Sequence, residues 1–545
     1  MPLRKLANRH IIEPDYSFKE KYWPSVSEIV RNKHGETQVD NATNVQSSLK
    51  ECFGFLCLKF EEKLRELPKA SFFVFVQDLH EDSIEIWRML LTENYFQINE
   101  EDFAASRRIM KYVLEQGCRL DLVGHNSFSD EIAENIELYV SQLDELIYIG
   151  SWAFALCEYI ARSQISEHSI SIKVVNDELT IFENVPFNSL TQFVSEDNIR
   201  HQNSIVVSDS ILDLKKVLSD ELKINYDHLC GYIHEQLKDK KFRFSVFNLD
   251  ELIDKLVDEY GYSRETLKVF YSGLTINRGN VISIQDGILK TQDARRYMYR
   301  PILEYLIGNK KYWIIGGNKW SESLVQLTTN CIPFGQFPDE WKQIPEIYSM
   351  MKRTMDEHDA LLENPAIDII NGVKLKFDRN VKTFKKLNNQ GASLLSKDLG
   401  EIDIIFIDEK EKLIFVAECK HNRSRYEFYN WRRDISNFNE KYEKQLNNKY
   451  KWVATNKELV LEHFEVLYKE QLQGKQNYEV VPLFIINAPT LYMYDSDYLV
   501  FTLHDLDLYL NHKHKEVEFD GELNGKKIKL RKPLFKNAEN LFTAN

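Results

Sequence analysis

The sequence lacks the cysteine patterns that mark metal-bound or disulfide-linked scaffolds. Its 545 residues contain only seven cysteines, and no two of them form a CxxC pair. Structural zinc sites usually take paired cysteines, and disulfide frameworks usually take an even number of them. We therefore expect a chain without structural zinc whose thiols stay reduced, as in the cytoplasm.

A hydrophobic run long enough to cross a bilayer is also missing. The most apolar window, residues 146–160, contains Glu158 and directly follows Asp144 and Glu145. A membrane-spanning helix needs about 20 mostly apolar residues, so this window predicts a buried core helix. The first residues, MPLRKLANRH, show no apolar leader pattern. We expect no membrane partner and a cytoplasmic location.

Glycine-rich phosphate-binding loops are absent as well. Gly316 and Gly317 follow the apolar run YWII, but the residues around them complete neither GxGxxG nor GxxxxGK[ST]. The sequence therefore gives no reason to expect an ATP or dinucleotide site.

Acidic residues outnumber basic residues over the whole chain but not in its C-terminal part. The formal net charge is −14, which argues against a nucleic-acid partner because phosphate binding usually leaves a basic surface. Residues 341–545, however, hold 32 Lys and Arg against 32 Asp and Glu, so the acidic excess lies in residues 1–340. Residues 371–390 hold six basic residues and one acid. A nucleic-acid partner is therefore compatible with the C-terminal part.

The chain does contain enough apolar residues for several packed cores. Hydrophobic residues make up 43% of it, and they recur at intervals of three and four over residues 44–165 and 210–335, which predicts amphipathic helices. Short β-branched runs predict strands between residues 169 and 207. Prolines interrupt the pattern near residue 340. We predict three domains, in this order: a mainly helical domain of unknown role over 1–190, a helical domain with a regulatory or nucleic-acid-positioning role over 191–340, and an α/β domain over 341–545.

Two apolar runs in the last domain flank a charged turn and predict a β-hairpin. They are residues 402–407 (IDIIFI) and 412–419 (KLIFVAEC). Alternation along the second strand places Glu418 and Lys420 on one face, and the hairpin brings Asp403 beside Glu418. Three charged groups therefore converge. The alternative is that Glu418 and Lys420 are exposed charges at a strand end and that Asp403 belongs to a turn.

Two carboxylates and a lysine in this arrangement suit phosphodiester hydrolysis. Carboxylate oxygens bind Mg²⁺, for which we expect Mn²⁺ to substitute, and leave positions for water and a substrate phosphate. The metal polarises the phosphate and activates water. A nearby lysine orients or deprotonates that water, or offsets charge on the phosphate. Asp403 and Glu418 are the predicted metal ligands, and Lys420 is the predicted catalytic lysine.

The spacing G-E-I-D-(x)14-E-C-K over residues 400–420 resembles the core of the PD-(D/E)xK superfamily, the restriction-endonuclease-like nucleases. The resemblance implies a mixed central sheet flanked by helices over residues 341–545. It also implies that Asp403 and Glu418 bind the metal and that Lys420 assists the water. The proline that names the motif is missing before Asp403.

Two further site residues are implied by the same resemblance. Many members carry a Glu on the helix before the first strand, for which Glu363 is preferred here over Glu357. Relatives of the RecB type add a Gln and a Tyr, spaced Q-x3-Y, on the helix after the ExK strand. Gln445 occupies the Gln position, whereas Tyr450 stands one residue too late. Gln445 is therefore either a catalytic residue or a solvated helix residue.

A basic and aromatic stretch, HNRSRYEFYNWRRD, follows Lys420. Arginines bind phosphates and aromatic rings stack on unpaired bases, so this stretch predicts nucleic-acid contacts. The alternative is an amphipathic helix that buries its aromatics and solvates its arginines. The candidate binding residues are Arg423, Arg425, Arg432 and Arg433.

Taken together, these features predict a Mg²⁺-dependent endonuclease that acts on DNA. A role in restriction or phage defence follows from the family analogy alone. Two alternatives stay open: a ribonuclease, and a catalytically silent or conditional platform that binds nucleic acid or protein. A homo-oligomer or a partner subunit is compatible with each of them.

Overall fold

A computed structural model describes most of the chain. The described residues are 2–92, 98–124, 127–185, 189, 192–194, 210–235, 244–358, 360–386, 391–394, 399–423, 427–515, 518–523 and 526–531. Contacts group the chain into two compact units. Unit 1 comprises Met1–Ile160, Ile172–Ile181 and Ser208–Met355. Unit 2 comprises Ala161–Ser171, Phe182–Val207 and Asp356–Asn545.

Helices dominate the first 357 residues. Several begin at an Asn or Ser side chain that accepts a backbone N–H of the first turn, as Asn41, Asn99 and Asn248 do. None of the described helices combines the length and apolarity needed to span a bilayer. The helices are α1 (Lys19–His34), α2 (Ala42–Glu66), α3 (Ala70–Thr92), α4 (Glu100–Gly117), α5 (Phe128–Ile165), α6 (Ser210–Asp220), α7 (Tyr226–Glu235), α8 (Leu249–Tyr260), α9 (Arg264–Gly273), α10 (Ile284–Leu289), α11 (Gly317–Asn330) and α12 (Pro345–Glu357).

Strands are more numerous here than the helical patterning predicts. They are β1 (Leu3–Leu6), β2 (Arg9–Ile12), β3 (Asp121–Leu122), β4 (Ile170–Val175), β5 (Glu178–Glu183), β6 (Phe244–Phe247), β7 (Thr275–Ile276), β8 (Ile302–Ile307) and β9 (Lys310–Gly316). Five of them form a mixed sheet in the order β3-β8-β9-β6, with β7 also paired to β8. Strands β6 to β9 lie within residues 191–340, so the prediction of a helical domain there omits them. Strands β8 and β9 are short apolar runs, which periodicity does not distinguish from buried helix.

The units do not follow the predicted domain boundaries. Strand β3 pairs with β8, so residues on both sides of position 190 share one sheet. Helix α12 begins beyond residue 340, and its Ile347, Met350 and Met351 pack into the core of unit 1. Because grouping by contacts does not show independent folding, the division into three domains stays a prediction.

Unit 2 contains an α/β arrangement. Its helices are α13 (Ala360–Gly372), α14 (Phe428–Asn437), α15 (Glu443–Thr455), α16 (Lys457–Tyr468), α17 (Leu491–Asp495) and α18 (Leu503–Leu510). Its strands are β10 (Lys376–Val381), β11 (Thr383–Lys385), β12 (Gly391–Ser393), β13 (Ile402–Asp408), β14 (Leu413–Lys420), β15 (Glu479–Ile486), β16 (Leu499–Phe501), β17 (Glu518–Leu523) and β18 (Lys526–Arg531).

The main sheet of unit 2 is mixed, as predicted. Its order is β10-β13-β14-β15-β16, in which the first two pairings are antiparallel and the last two are parallel. One face packs against α13 and α18 through Ala366, Ile370 and Leu506. Helix α15 packs against β14 and β15. The coarse prediction of an α/β fold with flanking helices is confirmed.

Candidate functional site

The predicted hairpin is present. Strands β13 and β14 pair antiparallel, with Ile404 opposite Ala417 and Asp408 opposite Leu413. The Asp408 carboxylate stabilises the turn because its Oδ1 accepts the backbone N–H groups of Lys410, at 2.9 Å, and Glu411, at 3.0 Å. The register brings Asp403 and Glu418 to the same end of the hairpin.

Alternation along β14 separates the core from the charged cluster. Phe415, Ala417 and Cys419 lie in the hydrophobic core beside α13. Glu418 therefore projects from the opposite face, where α15 covers it. The chain enters β13 through Gly400, whose φ of 72° belongs to the left-handed region that favours glycine.

Four charged side chains meet at this end of the sheet. The Lys420 Nζ lies 3.1 Å from Glu418 Oε2 and 3.9 Å from Asp403 Oδ2. The ammonium group of Lys449, on α15, bonds to Glu418 Oε1 and lies 4.0 Å from Asp403 Oδ1. Each lysine thus approaches both carboxylates. The alternative of exposed strand-end charges is wrong for Glu418, which is only 1% exposed.

Asp403 is fixed by the backbone of the neighbouring strand. Its Oδ2 accepts the N–H of Cys419 at 2.8 Å. Burial, followed by the negative charge of Glu418, raises the pKa of Asp403 to about 7. Burial alone would lower the pKa of Lys420, but the charges of Glu418 and Asp403 outweigh it, and the net shift is upward. The positive charges of Lys420 and Lys449 oppose this rise in the pKa of Asp403 without cancelling it.

Asp403 and Lys420 line a polar cavity of about 560 Å³, whereas Glu418 and Lys449 are not among its lining residues. Glu363, which is largely buried, lines this cavity, and Gln445 also lines it. Glu357, the other candidate for the helix Glu, is not among the lining residues. The cavity is lined by Asp356, Ala360, Glu363, Asn380, Lys382, Glu401, Asp403, Cys419, Lys420, His421, Asn422, Lys441, Tyr442 and Gln445.

A π-helical turn places part of this lining. It spans Phe438–Tyr442, between α14 and α15. Such turns insert an extra residue into a helix and are frequent at functional sites. Here the turn brings the ring of Tyr442 to 5.2 Å from the Nζ of Lys420. Tyr442 thereby forms one wall beside the charged cluster.

The predicted arginines are less closely associated with the cavity. None of Arg423, Arg432 and Arg433 lines it, and Arg425 lies outside the described residues. Arg423 is buried, whereas Arg433 is exposed. The described cations that line the cavity are Lys382, Lys420 and Lys441 instead.

Helix α14 matches the amphipathic alternative for its aromatic residues. Phe428 and Trp431 are buried, and their rings pack edge to face with centroids 5.0 Å apart. Their faces are therefore not free to stack on bases. Tyr429, by contrast, is partly exposed and lies 5.1 Å from the guanidinium of Arg432.

Lys449 was missed by sequence reasoning, although a signal for it exists. Gln445 and Lys449 are four residues apart on α15 and so lie on the same helical face. Lys449 occupies the position at which the Q-x3-Y pattern would place its Tyr. The residue that departs from the pattern, Lys449, is therefore the one that contacts Glu418.

Asp403 and Glu418 are the two carboxylates through which this site could hold a hard divalent cation. Within the described residues, no group of three or more His, Cys, Asp and Glu side chains is arranged to hold a metal ion. Mg²⁺, however, is commonly bound through one or two carboxylates, with water and phosphate oxygens completing its shell. Asp403 and Glu418 would supply those carboxylates, and Glu363 borders the same cavity.

A histidine pair lies beside the cluster. The rings of His358 and His421 stack with centroids 3.9 Å apart. Each ring also contacts the other residue's carbonyl oxygen, at 3.3 Å and 3.1 Å. Burial, followed by the charge of His421, lowers the pKa of His358 to about 4. This pair ties the segment before α13 to the end of β14.

Comparison with protein-family models, with curated proteins and with solved structures finds no match for the chain. Its function is therefore inferred from its residues and their geometry.

Replacing Lys449 by Met should leave the buried Glu418 with only one of its two cationic partners. We expect the free energy of unfolding to fall by about 3 kcal/mol, because removing one partner of a buried ion pair leaves an uncompensated charge. Urea unfolding would measure it. Lys451→Met, an exposed change on the same helix, should stay within about 0.5 kcal/mol of the wild type.

A double variant provides the contrasting case. Glu418→Leu combined with Lys449→Met removes both charges, so it should recover much of the stability that Lys449→Met loses. If the losses in unfolding free energy of the two single variants simply add in the double variant, Glu418 and Lys449 have no measurable interaction energy.

The His358–His421 pair should make the protein acid-sensitive. His358 has a folded pKa of about 4, below its ordinary unfolded value, so between pH 6.5 and 4 the unfolded chain binds more protons. The corresponding stability is present above this window and is lost as the pH falls through it. Between pH 7 and pH 5 the loss due to His358 should be about 2 kcal/mol.

Urea unfolding of His358→Phe at these two pH values tests the assignment. The variant should lose about 2 kcal/mol less than the wild type on acidification. His504→Phe, at an exposed position, should follow the wild type. An unchanged pH dependence in His358→Phe would show that His358 already binds a proton as readily when folded as when unfolded.

Proposed function

We propose that unit 2 is a Mg²⁺-dependent nuclease of the restriction-endonuclease-like type that hydrolyses phosphodiester bonds of DNA. One observation carries the proposal. The carboxylates of Asp403 and Glu418 both lie within 4.0 Å of the ammonium groups of Lys420 and Lys449, at the edge of a polar cavity. This is the combination of metal-binding oxygens and fixed positive charge that phosphate chemistry uses.

The fold around the cluster supports the same proposal. The resemblance over residues 400–420 implies a mixed sheet with helices on both faces and with the acidic groups on adjacent strands. Unit 2 has a mixed five-stranded sheet in which β13 and β14 are neighbours. The ExK strand β14 is followed by helices and then by the parallel strand β15.

The side chains divide the work as follows. Mg²⁺ on Asp403 and Glu418 would polarise the phosphate and lower the pKa of a bound water. Lys420 orients or deprotonates the attacking water, or offsets charge on the phosphate. Lys449 is a positioning residue, because its ammonium group bonds to the carboxylate of Glu418. Lys382 and Lys441 line the cavity and offer contacts for flanking phosphates.

DNA as the substrate and a place in restriction or phage defence come from the family analogy. A cavity of about 560 Å³ lined mainly by polar side chains accommodates a nucleotide-sized group, and it does not separate DNA from RNA. Arg423, Arg432 and Arg433 stay predicted nucleic-acid contacts outside the cavity.

The second candidate is a catalytically silent or conditional binding platform on the same fold. The observation that favours it is the balance of charge at the cluster. Two lysines already compensate two carboxylates, so the site is electrostatically satisfied without a metal ion. Entry of Mg²⁺ would have to displace part of this ion pairing.

Cleavage assays separate the candidates. Purified protein would be incubated with plasmid, linear duplex, single-stranded DNA and RNA in Mg²⁺ or Mn²⁺. We expect DNA cleavage that falls at least about 100-fold in Lys420→Met, the usual scale for losing a proton-transfer group. Asp403→Asn and Glu418→Gln should be inactive, since each removes a metal ligand. Lys410→Met, in the exposed turn of the same hairpin, should cleave normally.

The other outcomes are equally informative. Cleavage that survives in all three site variants would contradict the proposed site. Binding of DNA without cleavage by the wild type would favour the platform, and cleavage of RNA alone would favour the ribonuclease.

A further inference from the structure

A cluster of basic side chains lies in unit 1, where α3, α4 and α11 meet. Arg107 and Lys111 stand one turn apart on α4, and Lys319 lies in the first turn of α11. Glu322 joins them, since its Oε2 is 2.7 Å from Lys319 Nζ and its Oε1 is 3.2 Å from Arg107 Nη2. His80, on α3, completes the cluster. We call these five residues the basic cleft.

Positive charge in the basic cleft exceeds negative charge. Among the described residues, Glu322 is the carboxylate in ion-pair contact with Arg107 and Lys319. No hydrogen bond or ion pair of the Lys111 ammonium occurs in the described part of the chain. Burial, followed by the charge of Lys319, lowers the pKa of Lys111 to about 7. Arg107 and Lys319 thus share one carboxylate, and Lys111 beside them adds positive charge for the fraction of the time that it is protonated.

Glu81, the neighbouring carboxylic acid, does not offset the excess positive charge of the basic cleft. Glu81 accepts the backbone N–H groups of Asn318, at 2.7 Å, and Lys319, at 3.1 Å, at the start of α11. Burial raises the pKa of Glu81 to about 8, so this carboxyl carries little negative charge near neutral pH. It occupies the helix N-terminus itself, where a Cβ at Gly316 would lie 1.9 Å from its Oε1. An anion would therefore bind to the side chains of the basic cleft and not to the N-terminus of α11.

His80 supplies a second, independent sign of a missing partner. It is fully buried, and neither of its ring nitrogens has a hydrogen-bond partner within the described residues. Its ring centroid lies 5.6 Å from that of Tyr297, over which the Nζ of Lys319 sits at 5.1 Å. The unpartnered imidazole thus borders the unbalanced cations. Buried polar groups are nearly always hydrogen-bonded. A single anion would supply both a counter-charge for the cations and a hydrogen-bond partner for His80.

The basic cleft is accessible from one side. The Arg107 side chain is 16% exposed and that of Glu322 is 28% exposed, whereas Lys319 is only 1% exposed. The guanidinium of Arg107 also lies 5.6 Å from the ring of Trp87, which is itself exposed. Lys319 therefore forms the floor, and Arg107, Glu322 and Trp87 form the rim.

We propose that the basic cleft binds a phosphate-bearing anion. Burying cations without a counter-charge is unfavourable, and an anion that accepts from Lys111, Arg107 and Lys319 would remove that penalty. A phosphate group carries the charge and the several acceptor oxygens that three cationic donors and an imidazole N–H can satisfy. The site lies wholly in unit 1 and goes beyond the proposed nuclease. Inorganic phosphate and a nucleoside phosphate share this chemistry, and Trp87 at the rim is placed to contact a base.

Calorimetric melting of the full chain tests the proposal. The probes are inorganic phosphate, AMP and ATP, each compared with chloride at equal ionic strength. Phosphate-bearing probes should raise the melting temperature of the wild type in a saturable way, because a ligand that binds only the folded state stabilises it. Lys255→Met, an exposed change in the same unit, should respond identically.

The Lys111→Met variant gives the decisive signature. Without phosphate it should melt at a higher temperature than the wild type, because it removes a partly buried amine that the charges of Lys319 and Arg107 repel when it is protonated. With phosphate it should bind at least tenfold more weakly in isothermal titration. If AMP binds more tightly than inorganic phosphate, the ligand is a nucleoside phosphate, and equal affinities assign the phosphate group alone.

Two results would overturn the proposal. One is a wild type whose melting and titration show no response to any phosphate probe beyond that to chloride. The other is a Lys111→Met variant that melts lower than the wild type and binds phosphate unchanged, which would make Lys111 an ordinary structural residue. Should Lys111→Met fail to fold, Arg107→Met and titration of the wild type decide the matter.

Discussion

Asp403 and Glu418 place two carboxylates at the same end of neighbouring strands, one of them buried and the other nearly so. Burial, followed by repulsion from the charge of Glu418, raises the pKa of Asp403. The arrangement is tolerable because Lys420 and Lys449 approach both groups.

The two lysines lie on different elements of the fold. Lys420 follows Glu418 on the same strand and projects from the same face through simple alternation. Lys449 comes from α15, within the long connection between the parallel strands β14 and β15. Parallel strands require such a crossover, and its helices pack back onto the sheet. The contact between Lys449 and Glu418 is therefore a product of topology.

This difference sets what could be predicted from the sequence. The hairpin, its two faces and the meeting of Asp403 with Glu418 are local, because they follow from alternation and a short turn. Lys449 lies 31 residues along the chain from Glu418, and the contact between them depends on the path of the crossover, which periodicity does not specify. The same limit applies to β8 and β9, which lie within a segment whose pattern predicts mainly helices. Their apolar runs become strands only through pairing with each other and with the distant β3 and β6.

The two clusters of charged residues differ in how far their charges compensate each other. In unit 2, two carboxylates face two lysines, so the cluster is balanced and any added cation must compete with an ammonium group already in place. In the basic cleft of unit 1, Glu322 alone faces Arg107, Lys111 and Lys319, and His80 adds a ring without a hydrogen-bond partner in the described residues. A balanced cluster needs no added ion to offset its charges, whereas an unbalanced one gains stability from an anion that completes it. The two clusters therefore differ in how an added ion would change the stability of the elements around them.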